Sequence, residues 1–339
     1  MSPPFAAPAW LKSGHLQTIY GATLWQPETL VSDQRLTIRV DDENAVLCLL
    51  NQARAQPGPA CLILLHGLEA SAEAPYIAST ARKALADGWD VLRMNLRSCG
   101  GSHHLAATSY HGGLSGDALA VAQHAVSKKG YQRIAMAGFS LGGHTLLKLA
   151  GELGADYPPW LKGICAISPP LKLGSASAGL MHPRNRIYER YFYKNMLRSY
   201  RARHRLWPES TPMAVLSRVH NLYEFDDLIT APAFGYRDAE DYYSQNSALQ
   251  WVDQIRLPVR IIFALDDPII PFNAHRQAMA LNNPAVSWLL SAEGGHVGFF
   301  NTPTLAAQDR DALWAENRLL ETVAKWLIID PDQSSSTNL

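Results

Sequence analysis

The chain falls into blocks of apolar and polar positions whose period changes from segment to segment. Residues 36–40 and 45–50 are β-like runs joined by the polar turn Asp41-Asp42-Glu43-Asn44, and they predict an antiparallel hairpin. Residues 61–65 are wholly apolar, the mark of a strand buried on both faces. A helix is expected over 74–87, closed by Gly88. It is followed by a strand over 90–95, a helix over 114–128 ended by Gly130, and a strand over 133–138. A helix over 141–153, ended by Gly154, and a strand over 163–168 complete the run. Strands alternating with helices imply an α/β fold: a mostly parallel central sheet with helices on both faces.

The alternation stops after Pro169-Pro170. Residues 171–250 carry aromatic and basic side chains, among them Tyr188, Tyr191, Phe192 and Tyr193, without a clear buried strand. They predict a mainly helical cap inserted over the C-terminal edge of the sheet. Buried-strand pattern resumes over 259–265, a shorter strand is expected over 287–290, and 305–328 contain a closing helix. The expected organisation is therefore a first part of the core over 1–170 and the cap over 171–250. A second part of the core follows over 251–330, and a polar, disordered tail over 331–339. Residues 1–30, rich in proline and aromatics, are expected to wrap the body as an ordered arm. No internal repeat is evident.

One block combines pattern with chemistry. The apolar run before Ala137 leads into Gly138-Phe139-Ser140-Leu141-Gly142-Gly143, and a helical pattern follows. Strand, sharp turn and helix around G-x-S-x-G describe a nucleophile elbow, in which a strained turn lifts the serine hydroxyl clear of the backbone. The flanking glycines are needed because strand and helix approach too closely for side chains. Ser140 is thus a candidate nucleophile.

Catalytic groups in such sheets gather at the carboxyl ends of strands. Residues 259–265 run into Asp266-Asp267-Pro268, and 287–290 run into Glu293-Gly294-Gly295-His296. The order Ser, Asp, His is that of α/β-hydrolases. His296 would take the Ser140 proton and later protonate the leaving group, and an aspartate would fix its tautomer. Two adjacent carboxylates compete for that place. Asp267 is favoured because Asp-x-apolar-apolar-Pro is the usual form of this turn, which leaves Asp266 to brace it. The expected oxyanion donors are the backbone N–H groups of Leu141 and Leu68. Leu68 follows His66-Gly67 at the end of strand 61–65, and His66 reads as a brace for that loop.

Composition narrows the field. Of 339 residues, 47% are hydrophobic, enough for a large core. Lys plus Arg and Asp plus Glu are both 30, so the net charge is near zero. That balance argues against a nucleic-acid partner and gives no sign of a polybasic membrane patch. Cys48, Cys61, Cys99 and Cys165 form no CxxC pair, so disulfides are not expected and a reducing compartment fits. The opening Met1-Ser2-Pro3-Pro4-Phe5 has no basic segment followed by an apolar one, and no run is long enough to span a bilayer. A cytoplasmic protein without stable membrane insertion is expected. His103, His104 and His111 lie near Cys99 but not at zinc-site spacing. No metal or cofactor is expected, and the oligomeric state is open. Cys99 could face the site but lacks a paired base.

With these residues assembled, the chain resembles the YheT-like esterases of the α/β-hydrolase superfamily (hydrolase-fold family 4) over nearly its whole length. The general motifs are His66-Gly67-Leu68-Glu69, Arg97-Ser98-Cys99-Gly100-Gly101, the Ser140 elbow, Asp266-Asp267-Pro268 and Gly294-Gly295-His296-Val297-Gly298-Phe299. The stretches His15-Leu16-Gln17-Thr18 and Glu224-Phe225-Asp226-Asp227-Leu228-Ile229-Thr230-Ala231 are more specific to this group. The resemblance implies a serine carboxylesterase with Ser140, Asp267 and His296 as its triad. Eukaryotic relatives act on acylglycerols and phospholipids, which implies a lipid-like small-molecule ester. Ser98 departs from the family's glycine. Asp226 and Asp227 read as structural, tying the insertion to the core. Acyl transfer or thioester hydrolysis by the same triad, or a non-catalytic binding role of the same fold, are the alternatives.

Overall fold

The computed structural model describes residues 4–53 and 58–328. The tail expected over 331–339 lies outside these residues. Eight strands form one sheet in the order β1-β2-β4-β3-β5-β6-β7-β8. They are β1 (Gln34–Arg39), β2 (Ala45–Asn51), β3 (Ala60–Leu65), β4 (Asp90–Met94), β5 (Arg133–Phe139), β6 (Leu161–Ile167), β7 (Val259–Ala264) and β8 (Val286–Ser291). The pairs β1–β2 and β2–β4 are antiparallel, and every other pairing is parallel. The fold is thus a mostly parallel α/β sheet, as the alternating pattern implied.

Side-chain alternation along the central strands feeds two cores. Ile63 and Leu65 of β3, with Ile134 and Met136 of β5, pack against α3 (Ser115–Lys129) and α4 (Leu141–Leu153). Leu62 and Leu64, with Ala135, Ala137 and Phe139, pack on the other face against α2 (Pro75–Ala86) and the closing helix Trp314–Leu327. A strand covered on both sides has no polar face to show, which is why residues 61–65 carry no polar position.

The closing helix, Trp314–Leu327, lies within the span 305–328 expected to contain it but does not fill that span. Residues 307–313 instead form a loop pinned by ion pairs, Asp309 to Arg318 and Asp311 to Lys83. The strand expected over 287–290 extends to six residues as the sheet's edge. Among the described residues no strand lies between β6 and β7. That stretch holds α5 (Leu173–Met181), α6 (Arg186–His204), and further short helices up to Gln254. At the N-terminus, α1 (Gly14–Ile19) sits against the loop after β8, and Leu11, Tyr20 and Trp25 pack on Phe300 and Leu313. No helix among the described residues is long and apolar enough to cross a membrane.

Candidate active site

Ser140 occupies the turn between β5 and α4 with φ 50° and ψ −120°, backbone that a non-glycine residue adopts only under strain. Strand and helix are close enough to explain the flanking glycines. A Cβ on Gly138 would lie 2.4 Å from the Gly142 carbonyl carbon, and one on Gly142 would lie 2.6 Å from the His66 oxygen.

The serine hydroxyl meets a histidine from far along the chain. Ser140 Oγ is 2.9 Å from His296 Nε2, and His296 Nδ1 is 2.8 Å from Asp267 Oδ2. The Asp267 side chain is fully buried, and its other oxygen accepts the N–H groups of Ile269 (2.8 Å) and Ile270 (2.9 Å). With its carboxylate oxygens acting as acceptors, Nδ1 is the ring nitrogen that donates and Nε2 is free to accept from Ser140. Asp266 is not the histidine's partner. Its Oδ1 accepts the Gly295 N–H at 2.9 Å and so holds the histidine loop from below.

The arm completes this loop's support, a part that motif reasoning missed. Thr18 Oγ1 accepts the His296 N–H at 2.8 Å and donates to the Gly14 carbonyl at 2.7 Å. The buried Gln17 side chain accepts the Phe300 N–H at 2.8 Å and donates to the Phe300 carbonyl at 3.0 Å. Ser168 Oγ accepts from the Val297 N–H at 3.2 Å. Neither Gln17 nor Thr18 is a catalytic residue type, so only the family-specific His15-to-Thr18 stretch pointed to them.

The loop after β3 brings Leu68 to the same place. A Cβ on Gly67 would stand 3.2 Å from the Ser140 Cβ, and Leu68 lines the space in front of Ser140. Burial pushes His66 down to about pKa 4, so its ring is neutral. Nδ1–H then donates to the Gly67 carbonyl (2.8 Å), and Nε2 accepts the Leu96 N–H (3.1 Å). Leu141 opens α4, and its N–H, like every first-turn N–H, has no acceptor within the helix.

Two cavities meet at Ser140 and His296. The smaller, about 130 Å³, runs under α5 and α6 between Leu173, Leu180, Met196 and Phe225. The larger, about 580 Å³, opens between the arm and α6, past Trp25, Tyr188 and Tyr191. Asp226 lines the smaller one. It accepts from Thr230 Oγ1 (2.8 Å) and Tyr243 OH (2.7 Å), and burial pushes its carboxyl up to about pKa 6. Asp227 accepts the Ala239 N–H at 3.0 Å. These partners all belong to residues 226–243, so the pair organises the insertion internally and does not tie it to the core as expected.

Cys99 also lines the smaller cavity, but burial pushes its thiol well above its ordinary value, which keeps it protonated. Ser98 takes φ 62°, left-handed backbone that glycine adopts freely, and its hydroxyl donates to the Thr108 carbonyl at 3.1 Å. His111 packs edge-on against Phe234 and Tyr242, and its Nδ1 accepts the Gly113 N–H at 3.0 Å. Among the described residues no group of three His, Cys, Asp or Glu side chains is placed to hold a metal ion.

Residues 61–303 match the family described as the alpha/beta hydrolase fold. The chain is 34% identical over 280 residues to "Putative esterase YheT" of Escherichia coli (strain K12), covering 82% of this chain and 80% of that protein. It is 30% identical over 239 residues to Phospholipase ABHD3 of Mus musculus, covering 70% of this chain and 58% of that longer protein. Among solved structures, the esterase Pf2001 of Pyrococcus furiosus superposes over 96% of this chain and 100% of its own, with TM-score 0.56 and 17% identity, a likeness of fold.

Proposed function

This chain belongs to the α/β-hydrolase family and within it to the YheT-like group, and from that membership we propose that it is a serine carboxylesterase working through an acyl-enzyme. The observation that carries the reading is the pair of hydrogen bonds, 2.9 Å from Ser140 to His296 and 2.8 Å from His296 to Asp267, at the junction of two apolar cavities.

His296 Nε2 takes the hydroxyl proton as Ser140 Oγ attacks the ester carbonyl. The carbonyl oxygen becomes an oxyanion held by the N–H groups of Leu68 and Leu141. Losing one such donor would cost roughly 3–4 kcal/mol of barrier. The tetrahedral intermediate collapses, and the departing alcohol carries off the proton from Nε2. Water then attacks the acyl-serine with His296 again as base, releasing the acid and restoring Ser140. Asp267 stabilises the imidazolium in both halves. The apolar walls of the two cavities favour an ester whose acyl chain and alcohol are themselves apolar, as in a lipid-like substrate. The relatives described as a phospholipase and, in Saccharomyces cerevisiae, a monoacylglycerol lipase agree with that class.

The test is a series of p-nitrophenyl esters of increasing acyl length, with Ser140→Ala as control and a fluorophosphonate probe. Turnover and labelling are both expected to vanish in Ser140→Ala. Labelling that persists in the variant would refute the assignment.

A further inference from the structure

The balanced charge of the whole chain conceals a strong local excess. Residues 184–205 hold eight arginine or lysine side chains and one acid, Glu189. Seven of the eight, Arg184, Arg186, Arg190, Lys194, Arg198, Arg201 and Arg205, are exposed, and among the described residues none of the seven makes an ion pair. The expectation that no polybasic patch exists fails here, because a chain-wide sum averages this segment with acidic ones elsewhere.

Helix geometry gathers the cations. At ~100° per residue, positions 186, 190, 194, 198 and 201 of α6, with Arg205 at its C-cap, fall within an arc of roughly 120°. Tyr188, Phe192, Met196 and Arg203 project from the opposite side, where they line the two cavities. Ile187 lies inside the basic arc and Tyr191 borders it, and they are 63% and 57% exposed. Both also line the larger cavity, as do Thr23 and Trp25 of the arm, and Leu24 between these two is 69% exposed. His15 stacks on Tyr188 with ring centres 5.7 Å apart, fixing arm to helix.

A basic face that carries exposed apolar side chains is the composition of a helix lying in a membrane interface. We propose that α6 and the arm residues around Leu24 form a surface that docks on anionic lipid bilayers, with the larger cavity opening onto the bilayer. Its cations meet lipid phosphates, while Ile187, Tyr191 and Leu24 enter the headgroup boundary. Lipid is favoured over a nucleic-acid duplex because the exposed apolar residues ring an apolar opening that a duplex has no groups to fill. A lipid ester would then reach Ser140 from the bilayer without crossing water. Docking itself needs no chemistry at Ser140.

The experiment is sedimentation of the full chain with vesicles of phosphatidylcholine alone or with added phosphatidylglycerol, at low and high sodium chloride. Each basic residue near an anionic surface changes partitioning by about fivefold. Wild type and Ser140→Ala are both expected to sediment with the anionic vesicles at low salt and to be released at high salt. Arg190→Glu/Lys194→Glu/Arg198→Glu is expected to lose more than tenfold in binding, with its circular dichroism and its turnover of a soluble short-chain ester unchanged. Ile187→Ser is expected to weaken binding to the anionic vesicles at low salt although every basic residue is kept. Equal binding to neutral and anionic vesicles, no binding, or full binding by the triple variant would overturn the proposal. So would binding to a DNA duplex at low salt without binding to vesicles. Because Ser140→Ala is expected to bind as wild type does, the outcome is independent of whether the protein is an esterase.

Discussion

Asp266 and Asp267 are neighbours in sequence, and exchanging each for asparagine separates their roles. Asp267 receives three hydrogen bonds, from the N–H groups of Ile269 and Ile270 on Oδ1 and from His296 Nδ1 on Oδ2. An asparagine has one acceptor oxygen and one NH2 group. The two backbone donors hold the oxygen on their side, since turning the amide would set NH2 against both. The NH2 then faces His296 Nδ1, which can accept it only by giving up its own proton. That leaves the proton on Nε2, where the ring can no longer accept from Ser140. The wrong tautomer costs about 10⁴-fold in kcat in a triad of this kind, or ~5.5 kcal/mol of barrier. The fold loses little, because the amide keeps the shape and the two backbone bonds, so the stability change is expected to stay within about 1 kcal/mol. In Asp266→Asn the amide oxygen still accepts the Gly295 N–H, and kcat is expected to fall by less than about tenfold. Steady-state kinetics on one activated ester, with thermal melts of all three proteins, read both effects. Asp267→Asn keeping more than a tenth of wild-type kcat, or losing less than Asp266→Asn, would refute the argument.

Gly142→Ala drives a Cβ to within 2.7 Å of the Leu65 and His66 carbonyl oxygens. It should cost about 1–3 kcal/mol of stability, and by displacing the Leu68 loop about 100-fold in kcat; a variant with wild-type rate and melting temperature contradicts this. Thr18→Val keeps the shape but orphans the His296 N–H. A loss of about 1–3 kcal/mol in stability is expected, with kcat reduced and KM nearly constant; a rise confined to KM would show that Thr18 touches substrate instead. Asp226 has its carboxyl raised to about 6 in the folded chain from 3.8, so the native state holds its proton more tightly than the unfolded state. That stability is full below about pH 4 and lost as pH rises through about 6, up to ~3 kcal/mol in all. The stability of wild type relative to Asp226→Asn should therefore fall between pH 4.5 and 7 in urea titrations, and a difference constant with pH would disprove it.

The parallel core was legible because burial on both faces leaves its signature residue by residue. Residues 61–65 carry no polar side chain because both sides of β3 are covered. The elbow was legible for a related reason: strand, turn and helix lie in one short stretch, and the close approach that demands Gly138 and Gly142 is local. The ends of the closing helix were less legible, since residues 307–313 are held out of helix by Lys83 and Arg318.

By itself the sequence determined the fold class, the strained serine and the Ser, Asp, His order, all written in neighbouring residues and their period. Between the two adjacent aspartates the turn pattern favoured Asp267, and tertiary structure set it against His296. It also made Thr18, 278 positions away, the support of that histidine's backbone, and turned Asp226 toward the cavity. It likewise brought the basic arc of α6 to the mouth of the larger cavity. Periodicity records whether a side chain is buried. Which distant group it meets depends on how the chain closes on itself, and hydrogen bonds across hundreds of residues leave no local period to read.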